Sequence, residues 1–224
     1  MRLSSSRAAT ENVAVPKSTD VRLLQVSSET ERFAYRTPMK FGGRVVTDVV
    51  LLHVTVDVET RDGRRGRGAG SMPMSNVWAW PSAVVPSESA LEAMIAIGRR
   101  CVGDASGYQG WGHPLEITHD LAANHASLAA EVVGAAKLAE PMPRLAQLVA
   151  ASPLEAAIHD AYGKALGQNA YNLLGEEFVN CDLGAYLGAD FAGEHLDRYT
   201  LRTPKRSMPL YHLVGALDPL IDAD

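Results

Sequence analysis

The sequence predicts an α+β fold: a three-stranded antiparallel meander followed by a helical bundle. Three observations predict it. Residues 46–59 place apolar side chains at every even position from Val50 to Val58, the period of a strand with one buried face. Asp62-Gly63 follows as a hairpin turn, and from Ser87 the apolar spacing becomes that of amphipathic helices. At 224 residues, 46% hydrophobic and 21% charged, the chain has the composition of a globular protein with one large domain, or one ordinary domain plus appendages.

The elements follow in order. Residues 1–19 carry Arg2, Arg7, Lys17 and several Ser and Thr without an apolar run of signal-peptide length, and are expected to be a disordered leader. Val21, Leu23 and Val26 begin the first strand, and a loop at Arg36–Gly43 joins it to the second. The third strand, Arg64–Met72, puts Gly66, Gly68 and Gly70 on one face, which leaves room for the close approach of a helix backbone. Ser89 and Glu92 have capping-box spacing for a first helix that Gly103 is placed to end. A second helix is expected over about Leu115–Ala139, broken by Pro141 and Pro143. After a short segment at Arg144–Ala150, Ser152 caps a third helix with Pro153 in its first turn, Glu155 closing the box and Gly167 ending it. Residues 176–206 hold few apolar clusters and read as a linker ending in a basic run. Met208–Gly215 then reads as one short buried strand, a lone element that expects neighbours to pair with.

Three segments, in this order, carry a resemblance: Arg36-Thr-Pro-Met-Lys-Phe-Gly-Gly43, Ser71-Met-Pro-Met-Ser-Asn-Val-Trp-Ala-Trp-Pro81, and Ser152–Gly175 with its Leu-Leu-Gly ending. Together they resemble the front of the mandelate racemase/muconate lactonizing enzyme family of the enolase superfamily. The resemblance implies an enolase-like N-terminal capping domain over residues 20–175. It also makes 207–224 similar to the first strand of the family's (β/α)-barrel, the barrel being otherwise absent. Such a barrel takes about 200–250 residues, and 17 remain from Met208 to Asp224.

In that family a Mg²⁺-dependent site removes the proton α to a carboxylate, giving racemisation, epimerisation, dehydration or cycloisomerisation. The metal ligands and bases come from later barrel strands, so the resemblance carries over no catalytic residue and no metal ligand, and Mg²⁺ is not expected to bind this chain. The expectation is a truncated enzyme, inactive alone, that supplies gating loops. On this reading Arg36 and Lys40 meet an anionic or hydroxylated substrate, Phe41, Trp78 and Trp80 wall the pocket, and His212 faces it from the barrel strand. The substrate, a small carboxylate or sugar acid, would bind only where a barrel is completed. The competing reading makes Arg36 and Lys40 solvated loop charges and the tryptophans interface plugs. A non-catalytic module that docks on a separately encoded barrel, or forms a homo-oligomer, stays open beside the enzyme reading.

Other signals point elsewhere. A net charge of −5 is too mild to indicate nucleic acid or a membrane surface, and no segment approaches the roughly 20 apolar residues of a membrane helix. Cys101 and Cys181 give no disulfide framework, and no Asn-x-Ser/Thr acceptor occurs, so a cytoplasmic protein is expected. Gly66-Arg-Gly-Ala-Gly70 lacks the helix a dinucleotide loop must open. Arg61, Arg64, Arg65 and Arg67 read as a solvated turn. His125 and His159 lack ligand partners at helical spacing and read as packed or surface histidines.

Overall fold

The computed structural model describes residues 16–41 and 44–211. Strand β2 (Arg44–Thr60) is the centre of a three-stranded antiparallel sheet, with β1 (Val21–Phe41) on one side and β3 (Arg65–Pro73) on the other. The fold class is the expected α+β arrangement. Val50, Leu52, Val54, Val56 and Val58 point into the core, each 6% exposed or less, while the odd positions of β2 line an outer face. Gly63 adopts φ +87° at the β2–β3 turn, a conformation glycine takes without steric cost.

The helices are α1 (Asn76–Ala79), α2 (Ser87–Gly107), α3 (Pro114–Ala122), α4 (His125–Ala135), α5 (Arg144–Leu166) and the short α6 (Gly184–Leu187). Helix α5 lies across the inner face of the sheet. A Cβ built on Gly66, Gly68 or Gly70 would stand 2.2, 2.2 or 2.1 Å from the carbonyl oxygens of Ala161, Ala157 and Pro153 respectively. Strand and helix stay in register because two strand residues advance about 6.7 Å and four helix residues about 6 Å. The glycine stripe thus runs along a row of small helix residues, Pro153, Ala157, Ala161 and Ala165, and backbone packs on backbone.

Several boundaries differ from the expected ones. Helix α2 starts after Pro86 with no side-chain cap, so Ser89 and Glu92 sit inside it and form no capping box. It passes through Gly103 to Gly107, because burial of Cys101, Val102 and Ala105 favours another turn over a stop. The single helix expected at 115–139 is two helices, α3 and α4. Ala123 and Asn124 donate to Asp120 and Leu121, a tight closing turn that swings His125 into the core. Helix α3 opens with a cap the sequence pattern did not announce: His113 Nδ1 accepts from Leu115 N at 3.1 Å, and Glu116 Oε2 accepts from His113 N at 2.6 Å.

Ser152 and Pro153 mark no helix start. They lie inside the continuous helix α5. Proline has no N–H for the carbonyl one turn back, and the Ser152 hydroxyl donates to that carbonyl, Val149 O, at 2.9 Å. Gly167 ends the helix in the left-handed conformation, as its position predicts.

The segment after α5 folds back on the start of the sheet. Lys17 Nζ donates to the carbonyls of Glu176 and Val179. Asn180 donates from its side chain to the buried Asp20 at 2.8 Å and to Glu116 at 2.9 Å. Residues 208–211 form no strand and are exposed, with Leu210 96% accessible. The rest of the expected strand, including His212, lies outside the described residues.

Candidate functional site

Past Ala34 the β1–β2 pairing breaks: Ala34 faces Asp48, and the next paired residue, Met39, faces Val46. Residues 35–38 therefore bulge from the ladder where a plain loop was expected, and pairing resumes through Phe41 and Arg44. The extra residues curl the hairpin end over the inner face. There it meets the segment after β3, where Asn76 Nδ2 donates to the carbonyl and hydroxyl of Ser87 and so fixes α1 against α2.

Between them lies a cleft of about 270 Å³. Tyr35, Met39 and Phe41 form one wall, Trp78 and Met74 another, and Val50 and Leu91 the floor. Asp48 is the one charged group among the described residues that line it, and Arg32 Nη1 bonds it at 2.7 Å while Nη2 reaches Glu88 at 3.4 Å. The cleft is apolar with a single partnered carboxylate at its rim, which suits holding an apolar group while polar chemistry occurs beside it.

The structure thus brings Phe41 and Trp78 to one cleft, 42% and 48% exposed. Trp80 stands apart from it. It is 3% exposed, and its indole donates to Glu140 Oε1 at 2.8 Å, tying the segment after α1 to the turn before α5. The hydrogen bonds that Ser82 and Trp80 give Glu140 hold its carboxyl below the usual range. Arg36 and Lys40 are exposed on the hairpin end and enter no ion pair among the described residues. Tyr35 and Met39 escaped the sequence reading. Their only signal is the Arg36–Gly43 segment, which contains Met39 and adjoins Tyr35, since a bulge leaves no period to read.

A second cleft, about 600 Å³, opens between α3 and α5. His159 lines it, and burial depresses its imidazole to about 4. Beside it His113, in the core, is depressed to about 3 by burial and by His159. Both ring nitrogens of His113 are engaged, Nδ1 by the α3 cap and Nε2 by Leu173 O at 2.8 Å. This histidine is an architectural group. Among the described residues no three His, Cys, Asp or Glu side chains converge as a metal site. No helix among them is long and apolar enough to cross a membrane.

No protein-family model and no curated protein matches this sequence. The chain is similar to solved structures of enolases and of L-talarate dehydratases. One is a mutant L-talarate/galactarate dehydratase liganded with Mg and L-glucarate, at 18% identity and TM-score 0.43, covering 78% of this chain and 36% of that one. Another is L-talarate dehydratase from Polaromonas sp. complexed with Mg and L-glucarate, at 18% identity and TM-score 0.37, covering 69% and 35%. A third is an enolase from Bradyrhizobium complexed with magnesium and mandelic acid, at 17% identity and TM-score 0.36, covering 69% and 34%. The chain spans about a third of the length of these structures.

Proposed function

We propose that this chain is the capping part of a mandelate racemase/muconate lactonizing-type enzyme, and that its share of the reaction is to gate a small carboxylate or sugar-acid substrate. The observation that carries this reading is the meeting of the two segments that resemble family gating loops. The hairpin end and the turn after β3, about 30 residues apart in sequence, close one cleft and leave Phe41 and Trp78 at its mouth. Arg36 and Lys40 stand on the same hairpin end as cations for an anionic substrate. The parent reaction is Mg²⁺-dependent α-proton abstraction, its ligands and base supplied by a barrel; the chain alone holds the lid and does no chemistry on the substrate.

Trp78 provides the test. With the full chain docked on a separately supplied barrel of the family, small α-hydroxy acids should change the emission of the exposed indole, and Trp78→Ala should remove the response while Trp80→Phe keeps it. With Mg²⁺ and the same acids in D₂O the chain without a barrel should exchange no α-proton. Loss of the fluorescence response to every acid sinks the gating reading; measurable exchange sinks the division of labour.

A second reading rests on a different observation. Phe33, Tyr35, Met39, Val45 and Val84 are 39–61% exposed around the same hairpin end, an apolar patch of the kind that other chains cover. On this reading the chain is a non-catalytic module that docks on a separately encoded barrel or on a second copy. Light scattering across a concentration series distinguishes a self-associating chain from a monomer awaiting a partner.

A further inference from the structure

The outer face of the sheet carries a constellation that plays no part in gating. Strands β3, β2 and β1 place Ser71, His53 and Glu31 in a line across their width. Ser71 and His53 are direct cross-strand partners, and Glu31 is diagonal to His53, whose direct partner is Glu29. Ser71 Oγ lies 2.7 Å from His53 Nδ1, and His53 Nε2 lies 3.5 Å from Glu31 Oε2. Nε2 is shielded from water and makes no hydrogen bond among the described residues, so the Glu31 carboxylate faces it at ion-pair distance only.

We propose that Ser71 is a nucleophile that accepts acyl groups from small activated esters or thioesters, with His53 as its base. The geometry sets the tautomer. The Glu31 carboxylate favours the imidazole proton on Nε2, which leaves the Nδ1 lone pair to accept the Ser71 hydroxyl proton. Glu31 is a positioning residue and touches no reacting atom.

The backbone contributes a donor. Thr60 N donates to Arg64 O, and Met74 N donates to Val50 O, so even-numbered residues of β3 bond to β2 and odd-numbered ones direct their N–H outward. Ala69 confirms the pattern by donating outward to Asp160 at 2.8 Å. Ser71 N–H therefore points to the open margin of the sheet, beside its own hydroxyl, where a developing oxyanion can be met.

The step balances without a redox partner. Ser71 Oγ adds to the carbonyl carbon and its proton passes to His53 Nδ1. The bond from that carbon to the leaving oxygen or sulfur breaks, and the leaving group takes up the proton. The product is an ester on Ser71, which water cleaves by the same route in reverse. Ser71 lies exposed on the open outer face of the sheet, so the donor must be small and its leaving group good; unactivated esters and peptides are not substrates.

The experiment uses the full chain and p-nitrophenyl acetate near neutral pH. The expected result is a burst of about one equivalent of nitrophenol with one acetyl group on the peptide that carries Ser71. Ser71→Ala abolishes the burst. His53→Ala slows it by about 100-fold or more, the usual weight of a positioned base, and added imidazole restores part of the rate. Glu31→Gln slows it less, and Glu31→Asp recovers the loss. Because all three side chains lie on the solvent face, thermal melting of the variants should match the parent chain. Acetylation confined to lysines, or a Ser71 burst indifferent to His53→Ala, overturns the proposal. Site mapping on the parent chain decides the first point even if a variant misfolds.

Discussion

Replacing Gly68 with alanine tests the packing on which the fold depends. The new methyl carbon would stand 2.2 Å from both Ala157 O and Ala161 N and 2.8 Å from Ala161 Cα, where ordinary contact begins at 3.4 Å. All three are backbone atoms of α5, so no rotamer change relieves the clash; the helix must retreat from the sheet by about 1 Å. A gap of that size forfeits a quarter to a half of each contact's dispersion energy along the seam. Overpacking costs about 1–3 kcal/mol where side chains can adjust. Here they cannot, so the expected cost is about 3–4 kcal/mol. For a chain of this length that lowers the melting temperature by about 10 °C.

The assay is thermal and urea unfolding followed by circular dichroism, with Gly103→Ala as the control. Gly103 is exposed within α2 and a Cβ there meets nothing within 4 Å. Alanine at Gly103 should stabilise by about 0.5–1 kcal/mol through helix propensity alone. A Gly68→Ala cost below about 1 kcal/mol, or equal effects at both glycines, would refute the backbone-on-backbone seam.

Two further outcomes follow from polar groups on α5. His113 and His159 have folded values of about 3 and about 4, below the ordinary value near 6.5, so their contribution is complete above that value and lost as pH falls toward the folded values. His159→Gln should therefore flatten the fall in unfolding free energy, measured by urea titration, between about pH 6 and 4 by up to about 1.4 kcal/mol per pH unit; an unchanged slope would place the imidazole in water. Asp160 accepts from Ala69 N at 2.8 Å and Lys164 Nζ at 2.7 Å, tying α5 to the outer margin of β3. Asp160→Ala should cost about 1 kcal/mol, reduced by its partial exposure, in equilibrium urea unfolding.

The parts legible in the sequence are those with a short physical period. The even positions of β2 had to be the buried face, because a strand with one apolar face can satisfy it in one orientation only. The glycines of β3 announced a helix against them, since three missing side chains on one face otherwise waste core volume. The unread parts depend on partners distant in the chain. Ser152-Pro153 has the local form of a helix start, yet the hydroxyl supplies the hydrogen bond that proline removes, and α5 continues. His113 is an unusual cap residue, and its role needs Glu116 and Leu173 at once. The bulge at 35–38 replaces a periodic pattern with none, so Tyr35 and Met39 give no sign of the cleft they line.

The two faces of the sheet obey opposite rules, and that opposition separates the two proposals. On the inner face, removal of side chains from β3 lets α5 approach to backbone distance, and every added atom is a clash. On the outer face, Arg22 and Arg65 bracket Glu59 at 2.6 and 2.9 Å, and Arg67 lies 3.4 Å from Asp57. These exposed pairs add little stability individually, yet they keep the surface polar and leave the edge strands charged against unwanted pairing. Ser71, His53 and Glu31 belong to this tolerant face, whereas Phe41 and Trp78 belong to the hairpin end beyond the seam. Substitutions at Trp78 should therefore leave the Ser71 acetylation rate unchanged, and substitutions at His53 should leave the Trp78 emission response unchanged. Coupling between the two would require the sheet itself to move, and the close fit of Gly66, Gly68 and Gly70 against α5 opposes that motion.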